Sequence, residues 1–233
     1  GTLLSDAPAL SEESRYYQRL LARDQAEAAD LVEEFVRSES AEAVYDAVLI
    51  PALNFAERDR LAGRLTSDEE SAVIDTTREM LDLLADSSEA APPAGVARSR
   101  ILGIPANGAP DELALRMLSQ LLAAMPIHLE VPAGRLMTSE VVEQVRGGTF
   151  AGVCIADLPP SPPAKTRYLV KKLRAAFPDL RIAVCRWAPA SLADATLQPV
   201  TDAGASHVSS TALETRTYFA EAAQPLSTDT HAA

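Results

Sequence analysis

Five residues after position 100 stand where side chains can do chemistry, at or just after the carboxyl ends of short apolar runs. They are Asn107, Asp111, Asp157, Arg186 and Trp187. Ligands of doubly wound parallel sheets bind at that edge. We expect Asp157 and Arg186 to form an ion pair across neighbouring strands, with Trp187 stacked nearby. Two interpretations stay open: a pocket for a small polar ligand, or a closed site filled by its own salt bridges.

Acid–base catalysis by Asp111 and Asp157 is conceivable at this edge, but no nucleophile accompanies them. The sequence has no phosphate-loop, dinucleotide, nucleophile-elbow or zinc motif. Asp111 and Glu112 lie in the first turn of a predicted helix and would repel an anion there. We therefore expect no catalytic residue, no metal site and no bound cofactor.

The elements that must position these residues alternate between short apolar runs and helical patterns. The apolar runs span 100–105, 127–131, 151–157, 181–186 and 207–210. The helical patterns span 111–124, 138–146, 162–177, 191–203 and 212–223. This alternation predicts a five-stranded parallel, doubly wound domain of flavodoxin-like or Rossmann-like type. Cys154 and Cys185 lie inside apolar runs, which predicts buried, reduced thiols.

The first half has the pattern of four amphipathic helices, so the fold class is α plus α/β, with an N-terminal four-helix bundle. Asp24 with Glu27, and Ser67 with Glu70, look like capping boxes. Pro51 should kink or divide the third helix. The predicted divisions are a bundle over 1–88, a linker over 89–99, an α/β domain over 100–225 and a disordered tail over 226–233.

The charge is unevenly distributed along the chain. The formal net charge is −12, and residues 1–95 hold 8 Lys and Arg against 21 Asp and Glu. So acidic a region repels nucleic acid. The one basic cluster lies on the helical pattern 162–177 and includes Lys165, Arg167, Lys171, Lys172 and Arg174. These cations are a solvated face, a docking surface for an acidic partner such as a neighbouring subunit's bundle, or a contact for anionic lipid heads.

The order of parts resembles the cobalamin-binding module of corrinoid proteins and cobalamin-dependent methyltransferases and photoreceptors, in which a four-helix cap precedes a Rossmann-like domain. The resemblance covers roughly residues 15–220. It is carried by "LLARDQAEAADLVEEFV" and "VLIPALNFAERDRLAGRLTSDEE" in the cap, and by "ILGIPANGAPDELALRML" and "GASHVSSTALE" in the second domain.

The family's functional residues are replaced in this chain. The family loop Asp-x-His-x-x-Gly, whose His ligates cobalt, aligns with Ala109, Asp111 and Ala114, and a carboxylate is a poor substitute for imidazole on that metal. In the cap, Arg60 stands where photoreceptor members have Trp, and Glu70 keeps only the Glu of a Glu-His pair. Bulky Arg186 and Trp187 replace a Gly-rich turn, and "DLPPSPP" replaces small hydroxyl residues. The resemblance thus implies a cobalamin-binding fold that has lost both the residue that ligates cobalt and the binding of cobalamin.

A second resemblance concerns "LLSDAPALSEESRYYQRLLARDQAEAADLVEEF" and "VYDAVLIPALNFAERDRLAGRLTSDEE". They are similar to the soluble C-terminal extension of some bacterial permeases of the autoinducer-2 exporter (PerM-like) family. This resemblance implies a regulatory or scaffolding module on the cytosolic face of the inner membrane, with its own permease region or a second copy as partner. The alternative is a sensor that binds a small ligand, a corrinoid among the candidates, between cap and sheet near Arg60 and Glu70.

Overall fold

The computed structural model describes residues 11–192 and 195–223, so the predicted tail 226–233 and the first ten residues lie outside the described part. The helices are α1 Glu12–Leu21, α2 Gln25–Ser38, α3 Ile50–Leu61, α4 Ser67–Asp86, α5 Ala109–Leu121, α6 Thr138–Gly147, α7 Ala164–Ala176, α8 Leu197–Asp202 and α9 Ala212–Ala223. The strands are β1 Ser99–Pro105, β2 Ile127–Glu130, β3 Gly152–Ala156, β4 Arg181–Cys185 and β5 His207–Ser209.

The five strands form one parallel sheet in the order β2-β1-β3-β4-β5. The predicted fold class is confirmed, because four helical segments precede a parallel sheet covered on both faces. The chain leaves β1 toward one side of the sheet and β3 toward the other. The crevice at the carboxyl ends of these two strands is the switch point where such sheets bind ligands.

The two faces of the sheet pack against different helices. Cys154, Ala156 and Cys185 point toward the bundle and share its apolar cluster, whereas Ile155 and Val184 point toward α6, α7 and α8. This division follows from the alternation of side chains along a strand. One apolar cluster therefore runs from the bundle to the sheet. The two cysteine sulfurs are buried 3.4 Å apart as free thiols, and their hydrogen bond and burial raise the pKa of Cys154.

Three local predictions are corrected within the helices. Of the two outcomes predicted for Pro51, the divided helix is wrong, because a π-helical turn at Tyr45–Leu49 leads directly into α3, in which Pro51 is the second residue. The capping box of α4 uses Thr66 and Glu69, one residue before the predicted pair. The helix predicted over 191–203 is limited to α8 after a short 3₁₀ turn at Ala190–Leu192.

Hydrogen bonds join the bundle to the α/β half. Asp46, in the π-helical turn, accepts the backbone N–H groups of Ala212 at 2.7 Å and Leu213 at 3.1 Å. The carboxylate thereby satisfies two donors in the first turn of α9 from outside that helix.

Within the described ranges, no helix is both long enough and apolar enough to cross a bilayer.

We predict that Asp46→Ala lowers the free energy of unfolding by about 1–2 kcal/mol, because two N–H groups of α9 lose their acceptor. Urea denaturation followed by circular dichroism measures the change. Asp179→Ala, at an exposed position, is the control and should stay within about 0.5 kcal/mol of the parent. Equal stability of the two variants would contradict a capping role for Asp46.

Candidate functional site

A buried ion pair stands at the carboxyl ends of β3 and β4. Arg186 Nη1 lies 3.1 Å from Asp157 Oδ1, and each side chain is 1% exposed. The same nitrogen donates to the carbonyl oxygens of Asp157 at 3.1 Å and Ser161 at 2.9 Å, and Nη2 donates to Thr196 Oγ1 at 3.1 Å. Thr166 Oγ1 donates to Asp157 Oδ2 at 2.6 Å. The pair is therefore surrounded by the polar partners that a buried charge requires.

Asn107 links this pair to Asp111. Its side-chain Nδ2 donates to Asp157 Oδ1 at 3.0 Å and to Asp111 Oδ2 at 3.2 Å, and its backbone N–H donates to the same Asp111 oxygen at 2.9 Å. The other oxygen of Asp111 accepts the N–H of Leu158 at 2.9 Å. The sequence-predicted residues Asn107, Asp111, Asp157 and Arg186 thus form one connected network.

The start of α5 explains why Asp111 faces inward. Pro110 stands in the first turn of α5, and Asp111 follows it on the face that packs against the β3–α7 loop. Burial raises the pKa of Asp111 to about 7; the N–H of Leu158 lowers it, the charge of Asp157 raises it, and Asn107 lowers it. Both oxygens of Asp111 already accept hydrogen bonds from this chain. Asp111 therefore fixes the β1–α5 loop through Asn107 and the β3–α7 loop through Leu158.

Trp187 lies on the other side of the strand end from the ion pair. It is fully buried in the cluster shared with the bundle, and its indole N–H donates to Ser209 Oγ at 3.2 Å and Thr215 Oγ1 at 2.9 Å. The expectation that Trp187 stacks beside the ion pair is thus wrong in placement. Consecutive residues at a strand end face opposite sides of the sheet, so Arg186 and Trp187 separate.

The bundle closes directly onto this edge through Asn54 of α3. Asn54 Nδ2 donates to the carbonyl oxygens of Pro159 at 2.7 Å and Trp187 at 3.0 Å, and the side chain is fully buried. One turn later, Glu57 Oε1 accepts a hydrogen bond from Ser161 Oγ at 2.8 Å. The space between cap and sheet edge is therefore crossed by the chain's own hydrogen bonds.

A small pocket remains beside these contacts. It encloses about 300 Å³ and is lined by residues of α3, α4, the β1–α5 loop, the start of α5 and the β3–α7 loop. The predicted residues Arg60, Glu70, Asn107 and Asp111 all line it. Arg60 forms two hydrogen bonds with Glu57, at 2.7 and 2.8 Å, and lies 3.9 Å from Glu70. These bonds with Arg60 hold the pKa of Glu57 below its usual range, so the pocket carries fixed charges of both signs.

The basic residues of α7 do not all serve one surface. Lys165, Arg167, Lys171 and Lys172 are exposed. Arg174 differs, because its guanidinium donates to the carbonyl oxygen of Gly204 at 3.0 Å and to three further oxygens nearby. Arg174 thus ties α7 to the turn before β5, and the partner-binding role predicted for it stays a prediction.

Sequence reasoning missed Asn54, Glu57, Ser161 and Asp46. Asn54 interrupts the apolar stretch "VLIPALNFA", and Asp46 stands among apolar residues in the same helix. A lone polar residue on a buried helical face was the available signal for both. Among the described residues, no group of His, Cys, Asp and Glu side chains is placed to hold a metal ion.

Comparison with known proteins gives a match in fold but not in sequence. No family model and no curated protein sequence matches this chain. The monomethylamine corrinoid protein of Methanosarcina barkeri matches with a TM-score of 0.62 and 10% identity, over 90% of this chain and 97% of that one. The chain has a cobalamin-binding-like fold.

Two further solved structures match with lower TM-scores. A cobalamin-binding protein from Desulfitobacterium hafniense has a TM-score of 0.39 and 11% identity, over 91% of this chain and 98% of that one. The methanol:cobalamin methyltransferase complex of Methanosarcina barkeri has a TM-score of 0.42 and 10% identity, over 90% and 79%. At these identities the likeness concerns the fold alone, and the argument for it rests on the first structure.

We predict that Asp111 makes stability depend on pH. Its folded pKa of about 7 exceeds the unfolded value of about 4, so its contribution is fully present below pH about 4 and declines as pH rises through about 7. Asp111→Asn, which carries no titrating proton, should abolish that decline, worth roughly 2–4 kcal/mol.

The measurement is urea denaturation of both proteins between pH about 4 and 8. Because all other titrating groups are shared, the difference between the two free-energy curves reports Asp111. Parallel curves across this range would show that its pKa is ordinary in the folded state.

Proposed function

We propose that this chain is a non-catalytic regulatory or scaffolding module whose corrinoid cleft is closed by its own side chains. The observation that carries the proposal is the pair of hydrogen bonds from Asn54 Nδ2 to the carbonyl oxygens of Pro159 and Trp187. They join the cap to the carboxyl edge of the sheet, where sheets of this type bind ligands.

The residues at this edge do not fit a corrinoid. Asp111, which aligns with the family's cobalt-ligating His, has both oxygens engaged by Leu158 and Asn107. The remaining pocket of about 300 Å³ is at the lower limit for a drug-sized ligand, about 300–1,000 Å³, and a corrinoid is larger than such ligands. Arg186 and Trp187 fill the strand end where the family has a Gly-rich turn. These contacts support a module that acts by contact with a partner.

Titration with hydroxocobalamin tests the proposal. We predict no change in the cobalamin absorbance spectrum and no co-elution, in the parent and in Asp111→His, because restored imidazole leaves the cleft full. If the parent binds hydroxocobalamin at micromolar affinity, the proposal that the corrinoid cleft is closed is refuted. Binding by Asp111→His alone would show that the missing ligand, and not steric closure, prevents binding.

A small-ligand sensor is the second candidate, and the pocket beside Arg60 favours it. Glu57, Arg60 and Glu70 present paired charges toward Asn107 there. A thermal-shift screen of small zwitterionic metabolites, run on the parent and on Arg60→Ala, separates the two candidates. A shift of several degrees in the parent that Arg60→Ala loses would favour the sensor.

Attachment to a membrane permease follows from the second sequence resemblance and belongs to the same proposal. We predict that the gene encoding this chain specifies apolar spans of about 20 residues ahead of Gly1. Its natural product should then sediment with the membrane fraction and be released only by detergent. A product that stays in the supernatant after membranes are pelleted would refute the attachment.

A further inference from the structure

A basic surface lies on α7, on the side of the sheet away from the bundle. Its members are exposed: Lys165, Arg167, Tyr168, Lys171 and Lys172, which together we call the α7 surface. Tyr168 is 54% exposed, and Lys172 Nζ lies 5.4 Å from the centre of its ring. Among the described residues, none of the four cations forms an ion pair with a carboxylate. The surface therefore combines uncompensated positive charge with an exposed aromatic ring.

An apolar groove adjoins this surface. It encloses about 340 Å³ between the end of β1, α6 and α7, and Tyr168, Met137 and Leu136 line it. Met137 is 71% exposed. Tyrosine, methionine and arginine are the residue types enriched at protein interfaces, whereas a merely solvated helix face needs no apolar groove beside it.

The bundle carries the complementary surface. Asp30, Glu33 and Glu34 of α2 are exposed and share one helical face by their spacing. In the described part of the chain, none of the three is neutralised by an ion pair. We call these three residues the α2 surface. Arg37 follows them in the last turn of α2 and is not part of this surface.

Two of the exposed acids of α4 already form ion pairs within this chain. Asp75 pairs with Arg78 at 2.7 Å, and Asp82 pairs with Arg116 of α5. A partner docking there would displace existing ion pairs. The α2 surface, in contrast, presents three exposed carboxylates within five residues and is the complement to α7 that we choose.

We propose that the α7 surface of one copy docks against the α2 surface of a second copy. The two helices have 13 and 14 residues, which gives matching lengths of about 20 Å. Within one chain the sheet separates α7 from the bundle, so the contact joins different copies. Because the two surfaces differ, the assembly grows head to tail into a ring or a linear chain.

An anionic membrane is a weaker partner for α7. Glu140 and Glu143 are exposed on α6, which packs beside α7. A flat bilayer would meet both helices and be repelled by Glu140, since Glu143 is already paired with Arg146 at 3.3 Å. A single docking helix, in contrast, contacts α7 alone. The acidic bundle would add further repulsion at low ionic strength.

A charge exchange between two variants tests the contact. One variant is Lys171→Glu with Lys172→Glu, and the other is Glu33→Lys with Glu34→Lys. Sedimentation velocity should show concentration-dependent association of the parent, and at least about tenfold weaker association of each variant alone. An equimolar mixture should recover the parent's association, because each altered surface then meets its opposite charge. Raising salt from about 0.01 M to about 1 M should dissolve both assemblies.

Any of three results would overturn the proposal: a monomeric parent at low salt, variants that associate like the parent, or a mixture that does not recover association. Thermal unfolding of each variant serves as the folding control, since all four positions are exposed. Sedimentation with vesicles of anionic or neutral lipid is a parallel measurement. A parent that binds anionic vesicles and remains monomeric would assign α7 to the membrane instead.

Discussion

The buried ion pair between Asp157 and Arg186 is the constraint on which the sheet edge depends. Two charges removed from water are tolerated only when nearly every donor and acceptor finds a partner. Asn107, Thr166 and Thr196 supply side-chain partners, and backbone carbonyls supply the rest. Meeting that requirement positions the β1–α5 loop, the start of α7 and the segment before α8 together. Loss of either charge would leave the other uncompensated in the interior.

Closure of the cap is a consequence of this arrangement. The guanidinium of Arg186 holds the carbonyl of Ser161, whose hydroxyl then donates to Glu57 of the bundle. Asn54 fixes the carbonyls of Pro159 and Trp187 on the two loops that flank the ion pair. Separating the cap from the sheet would expose these carbonyls and leave the side-chain amide of Asn54 without its hydrogen-bond acceptors. A ligand that enters the cleft would have to replace each lost hydrogen bond with one of its own.

The sequence predicted much of the fold because the central strands β1, β3 and β4 are largely buried. Such strands read as continuous apolar runs, and the runs before Asp157 and Arg186 place those residues correctly at the sheet edge. Contacts between distant segments were beyond reach, since Asn54 and Asp46 gain partners more than 100 residues away. The placement of Trp187 failed for a different reason: adjacent residues at a strand end turn to opposite faces. The bonds of Arg174 to backbone carbonyls were likewise beyond reach, because a basic helix does not reveal which of its cations makes them.

In the proposed module, contact with a partner would involve surfaces away from the sheet edge. The polar groups at the sheet edge form hydrogen bonds with one another, and the pocket beside Arg60 is small. The exposed charges, in contrast, are unevenly distributed. Residues 1–95 hold 21 Asp and Glu against 8 Lys and Arg, whereas α7 presents four exposed cations. Single exposed ion pairs contribute little, about 0–1 kcal/mol. In the proposed contact between copies, selectivity would come from several charges presented together beside the groove that Tyr168 lines.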